Sequence, residues 1–198
     1  MAIIEKTTPT DHDIHHMVEN RWSPRIFSDQ KISEKEIKQL LEAGRWAPSS
    51  NNLQPWRIIW GIKGTDVYDR IFSCLDEFNQ SWANHSQALM MGAFKKTMKD
   101  GKENFHALHD LGLFSANLTF QAQHMGIAVH QMAGIKFRDA AKEFKFPDNY
   151  HVATGIALGY YGGDPSKLPE DLEKGERKEM RSRNPQSSFA FNGDFTGE

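Results

Sequence analysis

The sequence predicts one compact unit in which α-helices alternate with β-strands, and three observations carry that expectation. Ser33 and Glu36 have the spacing of a capping box, and Ile37, Leu40 and Leu41 then recur on one helical face. The run from Pro55, Pro-Trp-Arg-Ile-Ile-Trp-Gly-Ile, reads as a buried strand. Farther on, Leu108, Leu111, Phe114, Leu118, Ala122 and Met125 form an apolar stripe at helical spacing. No internal repeat or low-complexity linker divides the 198 residues, a length that suits one domain or one protomer of an intertwined dimer.

In chain order, a short helix is expected around Asp13 to Asn20, followed by the capped helix from Ser33, which Pro48 ends. Strands are expected at Trp56 to Ile62, Ala88 to Phe94, Ile127 to Met132 and His151 to Tyr161, with helices between them. The longest helix is expected from about Asn104 to Met125, its stripe serving as core or as a dimer interface. From Gly162 to Arg183 the composition turns charged and includes Pro165 and Pro169, which predicts an extended surface arm. The expected organisation is thus a single domain over residues 1–198 with 162–198 as a C-terminal arm. Alternating helices and strands are compatible with a doubly wound sheet, yet no glycine-rich nucleotide fingerprint follows any of these strands.

A net charge of −2 gives no general attraction to nucleic acid or anionic membranes, so any anion site must be local. The N-terminal Met-Ala-Ile-Ile-Glu-Lys lacks a signal-peptide pattern, and runs such as Ala88 to Phe94 are too short to span a bilayer; a cytoplasmic protein is expected. Cys74 is the only cysteine, which excludes an internal disulfide and a thiolate metal cluster; it reads as an inert buried thiol.

The connector Arg45-Trp46-Ala47-Pro48-Ser49-Ser50-Asn51-Asn52-Leu53-Gln54-Pro55-Trp56 concentrates hydroxyls and amides between a helix and a strand. Ser and Asn can build a turn through local hydrogen bonds, but the same groups can equally be offered to a ligand. A second cluster, Arg21-Trp22-Ser23-Pro24-Arg25, places two guanidinium forks around a serine, a chemistry that clamps phosphate; a solvated helix end is the plainer alternative. Arg181-Ser182-Arg183 repeats that chemistry, and the two clusters could converge on one phosphate.

The connector resembles, nearly residue by residue, the "APSSxNxQPW" segment of the FMN-dependent nitroreductase family. That resemblance implies an α+β fold: a three-layer sandwich with a central, mostly antiparallel sheet flanked by helices, in an intertwined homodimer with two flavins at the subunit interface. It also implies a site. Arg21, Ser23 and Arg25 match the family's opening Arg-x-Ser-x-Arg/Lys pattern for the FMN phosphate and ribityl chain, with Trp22 inside it; Arg25 would face the pyrimidine edge, where negative charge accumulates on reduction. Pro48, Ser49, Ser50 and Asn52 match positions that reach the flavin from the partner subunit, and Gln54 belongs to the same segment. Arg181 and Arg183 are similar to a basic pair that completes the phosphate pocket. Asn79 resembles an Asn that bonds the ring edge, although a helix-terminal Asn would look the same; some relatives have lysine where this chain has Trp82. Met132, Ala133 and Gly134 match the segment whose glycine N–H faces the hydride-accepting nitrogen, and some relatives have an acidic residue in place of Ala133.

The implied chemistry is a ping-pong transfer in which NADH or NADPH reduces FMN and an electron-poor small molecule, such as a nitroaromatic or quinone, is reduced in turn. No side chain is then required as a catalytic nucleophile. Alternatives on the same scaffold are an FMN-binding or sequestering protein with little turnover, and a flavin-fragmenting or dehalogenating enzyme. His106 and His109 are one turn apart but lack a Glu-rich partner helix or an HExxH pattern, so no metal site is expected, and His12, His15 and His16 read as solvated. Gly155, Gly159, Gly162 and Gly163 read as tight packing and a turn, and Asp110-Leu111-Gly112 as a structural family segment. Phe189 to Phe191 could be a partner-clasping arm or an aromatic lid.

Overall fold

A computed structural model describes residues 5–197 of the chain. Met1 to Ile4, used in the N-terminal reading, and Glu198, the last residue of the expected arm, lie outside that range. The order of elements is α1 (His16–Asn20), α2 (Glu34–Arg45), β1 (Trp56–Ile62), α3 (Asp66–Ser73), α4 (Glu77–Ala83), β2 (Ala88–Lys95), α5 (Ala107–His124), β3 (Ile127–Met132), α6 (Phe137–Glu143), β4 (Tyr150–Tyr160) and α7 (Glu170–Arg177). Single 3-10 turns occupy Ser50–Asn52, Pro165–Lys167 and Gln186–Ser188.

The four strands form one sheet in the order β1-β2-β4-β3, and every pairing is antiparallel. This removes the doubly wound arrangement. Between Gly92↔Thr154 and Ala93↔Val152 the register skips Ala153, a bulge on β4. Helices cover both faces. Ala88 and Met90 of β2 pack with Ile37 and Leu40 of α2 and with Leu111, Phe114 and Leu118 of α5. The alternate residues, Leu89, Met91 and Ala93, pack with Ile71, Leu75 and Trp82 on the other side. Two-sided burial explains why β2 reads as an unbroken apolar run instead of alternating with polar residues.

The capping box of α2 forms as its spacing predicts: Ser33 Oγ accepts from Glu36 N, and Glu36 returns a bond to Ser33 N at 2.8 Å. α1 is shorter than expected because the His15 side chain caps it, accepting from Met17 N at 3.2 Å. The long helix begins at Ala107, and within its expected stripe Leu108 turns outward, 59% exposed. The stretch from Gly162 to Arg183, expected to be extended, folds in part into α7, whose Glu176 is buried. Its charges pair along the helix, Glu170 with Lys174 and Glu173 with Arg177, so high charge density here marks a solvated helical face. Cys74 is buried, and desolvation pushes its thiol pKa up, as suits an unreactive thiol.

Candidate cofactor site

The chain enters the site between α1 and α2. Phe27 packs against Gly159 of β4, where a Cβ would fall 2.5 Å from the Phe27 ring, and Ser28 N donates to Tyr160 O at 3.0 Å. This fixes the segment that precedes it. From the other end of the chain, Thr7 N donates to Glu179 O at 2.9 Å and Arg181 N to Thr7 O at 3.1 Å. The two chain ends thereby converge, and Arg21, Trp22, Ser23, Arg25, Arg181 and Arg183 line one cavity of about 250 Å³. Lys6 and Glu176 line it too.

Cations crowd this cavity. Burial lowers the pKa of Arg21, with Arg183 adding to the effect, and burial followed by Arg21 and Arg183 lowers that of Arg181. Arg21 donates to Ser23 Oγ at 3.3 Å. Arg181 donates to the main-chain oxygens of Arg21 and Glu19, so it secures the end of α1 as well as lining the cavity. Among the described residues, the Nε atoms of Arg25 and Arg181 are buried and meet no hydrogen-bond partner. Buried donors in that condition are costly, and an anion with spare lone pairs would satisfy them.

Arg25 leads from the cavity to a second cluster. Its guanidinium lies 6.0 Å from the ring of Trp82, which is fully buried on α4 and faces His130 at 4.4 Å. Trp82 Nε1 donates to Asn79 Oδ1 at 3.2 Å, and Asn79 Nδ2 donates to Gly134 O at 2.9 Å. Asn79 and Gly134 are thus brought together, with Met132 and Ala133 at the end of β3 beside them. A Cβ on Gly134 would fall 2.1 Å from Asp76 Oδ2 and 2.4 Å from Asn79 Nδ2. Packing against the start of α4 therefore requires this glycine, a reason internal to the protein that differs from the ligand approach expected of it. Asn79 is likewise not helix-terminal: Asp76 caps α4 by accepting from Asn79 N at 2.8 Å.

The connector is built differently. Asn51, Asn52 and Gln54 all hold positive φ, at 48°, 56° and 47°, a region where non-glycine residues are strained. Asp110 of α5, 1% exposed, accepts from Ser50 N with both oxygens at 3.2 Å. Gln54 bonds inward, its Nε2 to Asn52 O at 3.1 Å and Oδ1 at 3.0 Å, and its backbone N to Ser49 Oγ at 3.1 Å. Pro48, Asn52 and Gln54 are exposed, and none of residues 48–54 lines the arginine cavity.

Comparison with known proteins bears on the family and the fold. The model of the nitroreductase family matches residues 18–75, which include the arginine segment and the whole connector. A nitrobenzene nitroreductase of Ectopseudomonas oleovorans is 43% identical over 49 residues, 25% of this chain and 22% of that protein. An NADPH-dependent oxidoreductase of Staphylococcus saprophyticus is 25% identical over 182 residues, covering 83% of this chain and 68% of that one. A solved structure described as an oxidoreductase containing FMN superimposes with a TM-score of 0.88 at 30% identity, over 96% of both chains. The chain belongs to the nitroreductase family. The antiparallel sheet and its covering helices are accordingly those of nitroreductase-family neighbours.

Around this cavity the sequence does not point to Lys6, Glu176 or His130, nor to Trp82 as a support for Arg25. Asp110 was read only as structural, with no partner named for it. For both carboxylates a signal existed. Asp110 sits on the face defined by Ala107, Leu111 and Phe114, and Glu176 lies one turn from the half-buried Leu172. A buried carboxylate needs a partner, and here the partners are main-chain amides of the arginine segment and the connector.

Proposed function

We propose that this protein is an FMN-dependent oxidoreductase that takes electrons from NADH or NADPH and passes them to an electron-poor small molecule, such as a nitroaromatic or a quinone. The observation that carries the reading is the arginine cavity: its crowded cations and the buried, unpartnered Nε of Arg181 suit a bound phosphate monoester, and the like Nε of Arg25 suits an acceptor on the ring. When bound, FMN supplies the hydride chemistry by accepting from the nicotinamide and donating to the acceptor. The chain's own part is to hold and polarise it. Arg21, Ser23, Arg181 and Arg183 would take the phosphate, and Trp22 would wall the cavity. Arg25, backed by Trp82, would place a permanent positive charge by the ring, and Asn79 with Met132, Ala133 and Gly134 would line its edge. Pro48, Ser49, Ser50, Asn52 and Gln54 would present hydroxyls and amides from the connector.

The separation of connector and cavity within one chain supports a homodimer in which each connector completes the partner's site. Large apolar side chains are available to bury: Trp46 is 73% exposed, Phe105 82%, Leu108 59% and Phe120 37%. Residues 162–198 belong to the same domain as an arm that carries α7 and the basic pair. Among the described residues no helix is long and apolar enough to cross a membrane. Use of a reduced nicotinamide and a free buried thiol both suit a cytoplasmic setting.

The first test is the visible spectrum of the purified protein and of flavin released from it. A yellow protein that oxidises NAD(P)H with menadione or nitrofurazone is expected. A colourless protein that cannot be reconstituted with FMN would sink the proposal. For the dimer, sedimentation equilibrium of Leu108→Glu should show a shift toward monomer relative to the parent chain.

A further inference from the structure

The peptide group that joins Pro24 to Arg25 is gripped at both ends by side chains from distant parts of the chain, one half-buried and one buried. Its carbonyl oxygen lies 2.9 Å from His130 Nδ1 of β3. Because a carbonyl only accepts, His130 must carry its proton on Nδ1. Its N–H lies 3.0 and 3.2 Å from the two carboxylate oxygens of Glu176 in α7, and the next amide, of Ile26, donates to the same carboxylate at 3.3 Å. Glu176 is 1% exposed and, among the described residues, is the sole acidic one in a cavity lined by Lys6, Arg21, Arg25, Lys178, Arg181 and Arg183.

Such a carboxylate would ordinarily pair with a guanidinium. Among the described residues, however, no salt bridge joins Glu176 to any arginine, and its oxygens are directed to the backbone instead. Lys6 bonds to the carbonyl oxygen of Glu176, fastening the α7 end from outside. Nε of Arg25 meanwhile stays buried and without a partner. The arrangement fixes the main chain from which Arg25 departs while leaving its head uncommitted.

We propose that Glu176 and His130 are a positioning pair that clamps the Pro24–Arg25 peptide and thereby aims the Arg25 guanidinium at the cofactor. This rests on the FMN reading above for the identity of what Arg25 meets, but the clamp itself concerns this chain alone. It makes the C-terminal helix part of the site's machinery, although the one charged side chain that α7 brings to the cavity is a carboxylate.

The test combines amide hydrogen exchange in the flavin-free protein with an FMN binding cycle, using Glu176→Ala, Glu176→Gln, His130→Phe and Arg25→Ala. His130→Phe keeps a ring against Trp82 and removes the N–H donor; Glu176→Gln keeps shape and one acceptor. In the flavin-free protein, Glu176→Ala should lose protection at the amides of Arg25 and Ile26, with Glu176→Gln intermediate. FMN affinity should fall roughly tenfold in Glu176→Ala and less in His130→Phe, as removal of a charged partner predicts. In the Arg25→Ala background the same Glu176 change should have little further effect, because the two act as one unit. Full additivity, or unchanged amide protection, overturns the clamp. Lost protection at Arg25 and Ile26 in a protein whose parent chain binds no FMN would uphold the clamp and count against the FMN reading.

Discussion

The arginine segment and the Ser49–Gln54 connector are both held by one buried carboxylate on a helix, yet they end in opposite states. Glu176 takes the amides of Arg25 and Ile26, and Asp110 takes the amide of Ser50. In the first region the backbone is relaxed and the Arg25 head is left unsatisfied. In the second the side chains satisfy one another and the backbone carries the strain, with positive φ at Asn51, Asn52 and Gln54. The contrast teaches that the arginine cavity is ready for an anion by itself. The connector instead presents a shaped polar edge at the surface of its own chain.

The largest effect is expected where a head group was left free. Arg25→Ala should weaken FMN retention by roughly 10- to 100-fold, the loss of a charge-assisted contact, and lower the flavin potential, with little change in flavin-free thermal stability. Arg181→Ala should weaken FMN and also lower flavin-free stability, because Arg181 holds the main-chain oxygens of Arg21 and Glu19. Fluorescence titration with FMN and thermal melts of both variants separate the two roles; identical profiles would erase the distinction. Asp110→Ala addresses the other region. Removing the acceptor of the Ser50 amide should cost about 1–3 kcal/mol in denaturant unfolding and expose that amide to exchange, leaving Arg25 and Ile26 protected.

These regions were also unequally legible in sequence. The connector was readable because Ser, Asn and Gln crowd between a helix with a capping box and an apolar strand, so local rules alone located it. Arg21, Ser23 and Arg25 gained meaning chiefly from the family pattern. Their convergence with Arg181 and Arg183 depends on the pairing of Thr7 with Glu179 and Arg181, a long-range contact that no local periodicity encodes. The four strands match their expected bounds within about a residue at each end because their faces are buried, whereas α7 reads as extended, since Leu172 is the one apolar side chain among its paired charges and a single residue makes no repeating stripe. Gly134 adds a requirement that no local pattern encodes: a side chain there would collide with Asp76 and Asn79.

A pH titration sharpens the account of the cavity side. Burial, and then the nearby Arg25 and Arg21, push the His130 pKa down to about 4 from 6.5. The folded state thus binds fewer protons than the unfolded state between those values, and stability should fall as pH drops through that window. The opposite sign applies to Glu176, whose pKa burial raises, so its contribution weakens stability as pH rises through its own range. His130→Phe should therefore flatten the acid side of the stability curve by on the order of 1 kcal/mol, allowing for solvent screening. Denaturant melts of both proteins at several pH values measure it, and parallel curves would mean that His130 already titrates near its ordinary value.

The smallest effect is expected at Gln54, and it bears most directly on what the connector's strain is for. Holding a non-glycine residue at φ 47° costs about 1–2 kcal/mol, which Gln54→Gly would relieve. Against this stand two opposing terms: the greater freedom of glycine in the unfolded chain, about 0.4–1 kcal/mol, and the exposed bonds from the side chain to Asn52. The bond from the backbone N to Ser49 survives the substitution. Flavin-free stability should then change by less than about 1 kcal/mol in either direction. If the strained edge exists to meet a second surface, dimer affinity or FMN retention should nevertheless weaken, because the Gln54 side chain that braces Asn52 is gone. A variant that binds FMN and dimerises like its parent would mean that the strain in this loop only closes the turn between α2 and β1.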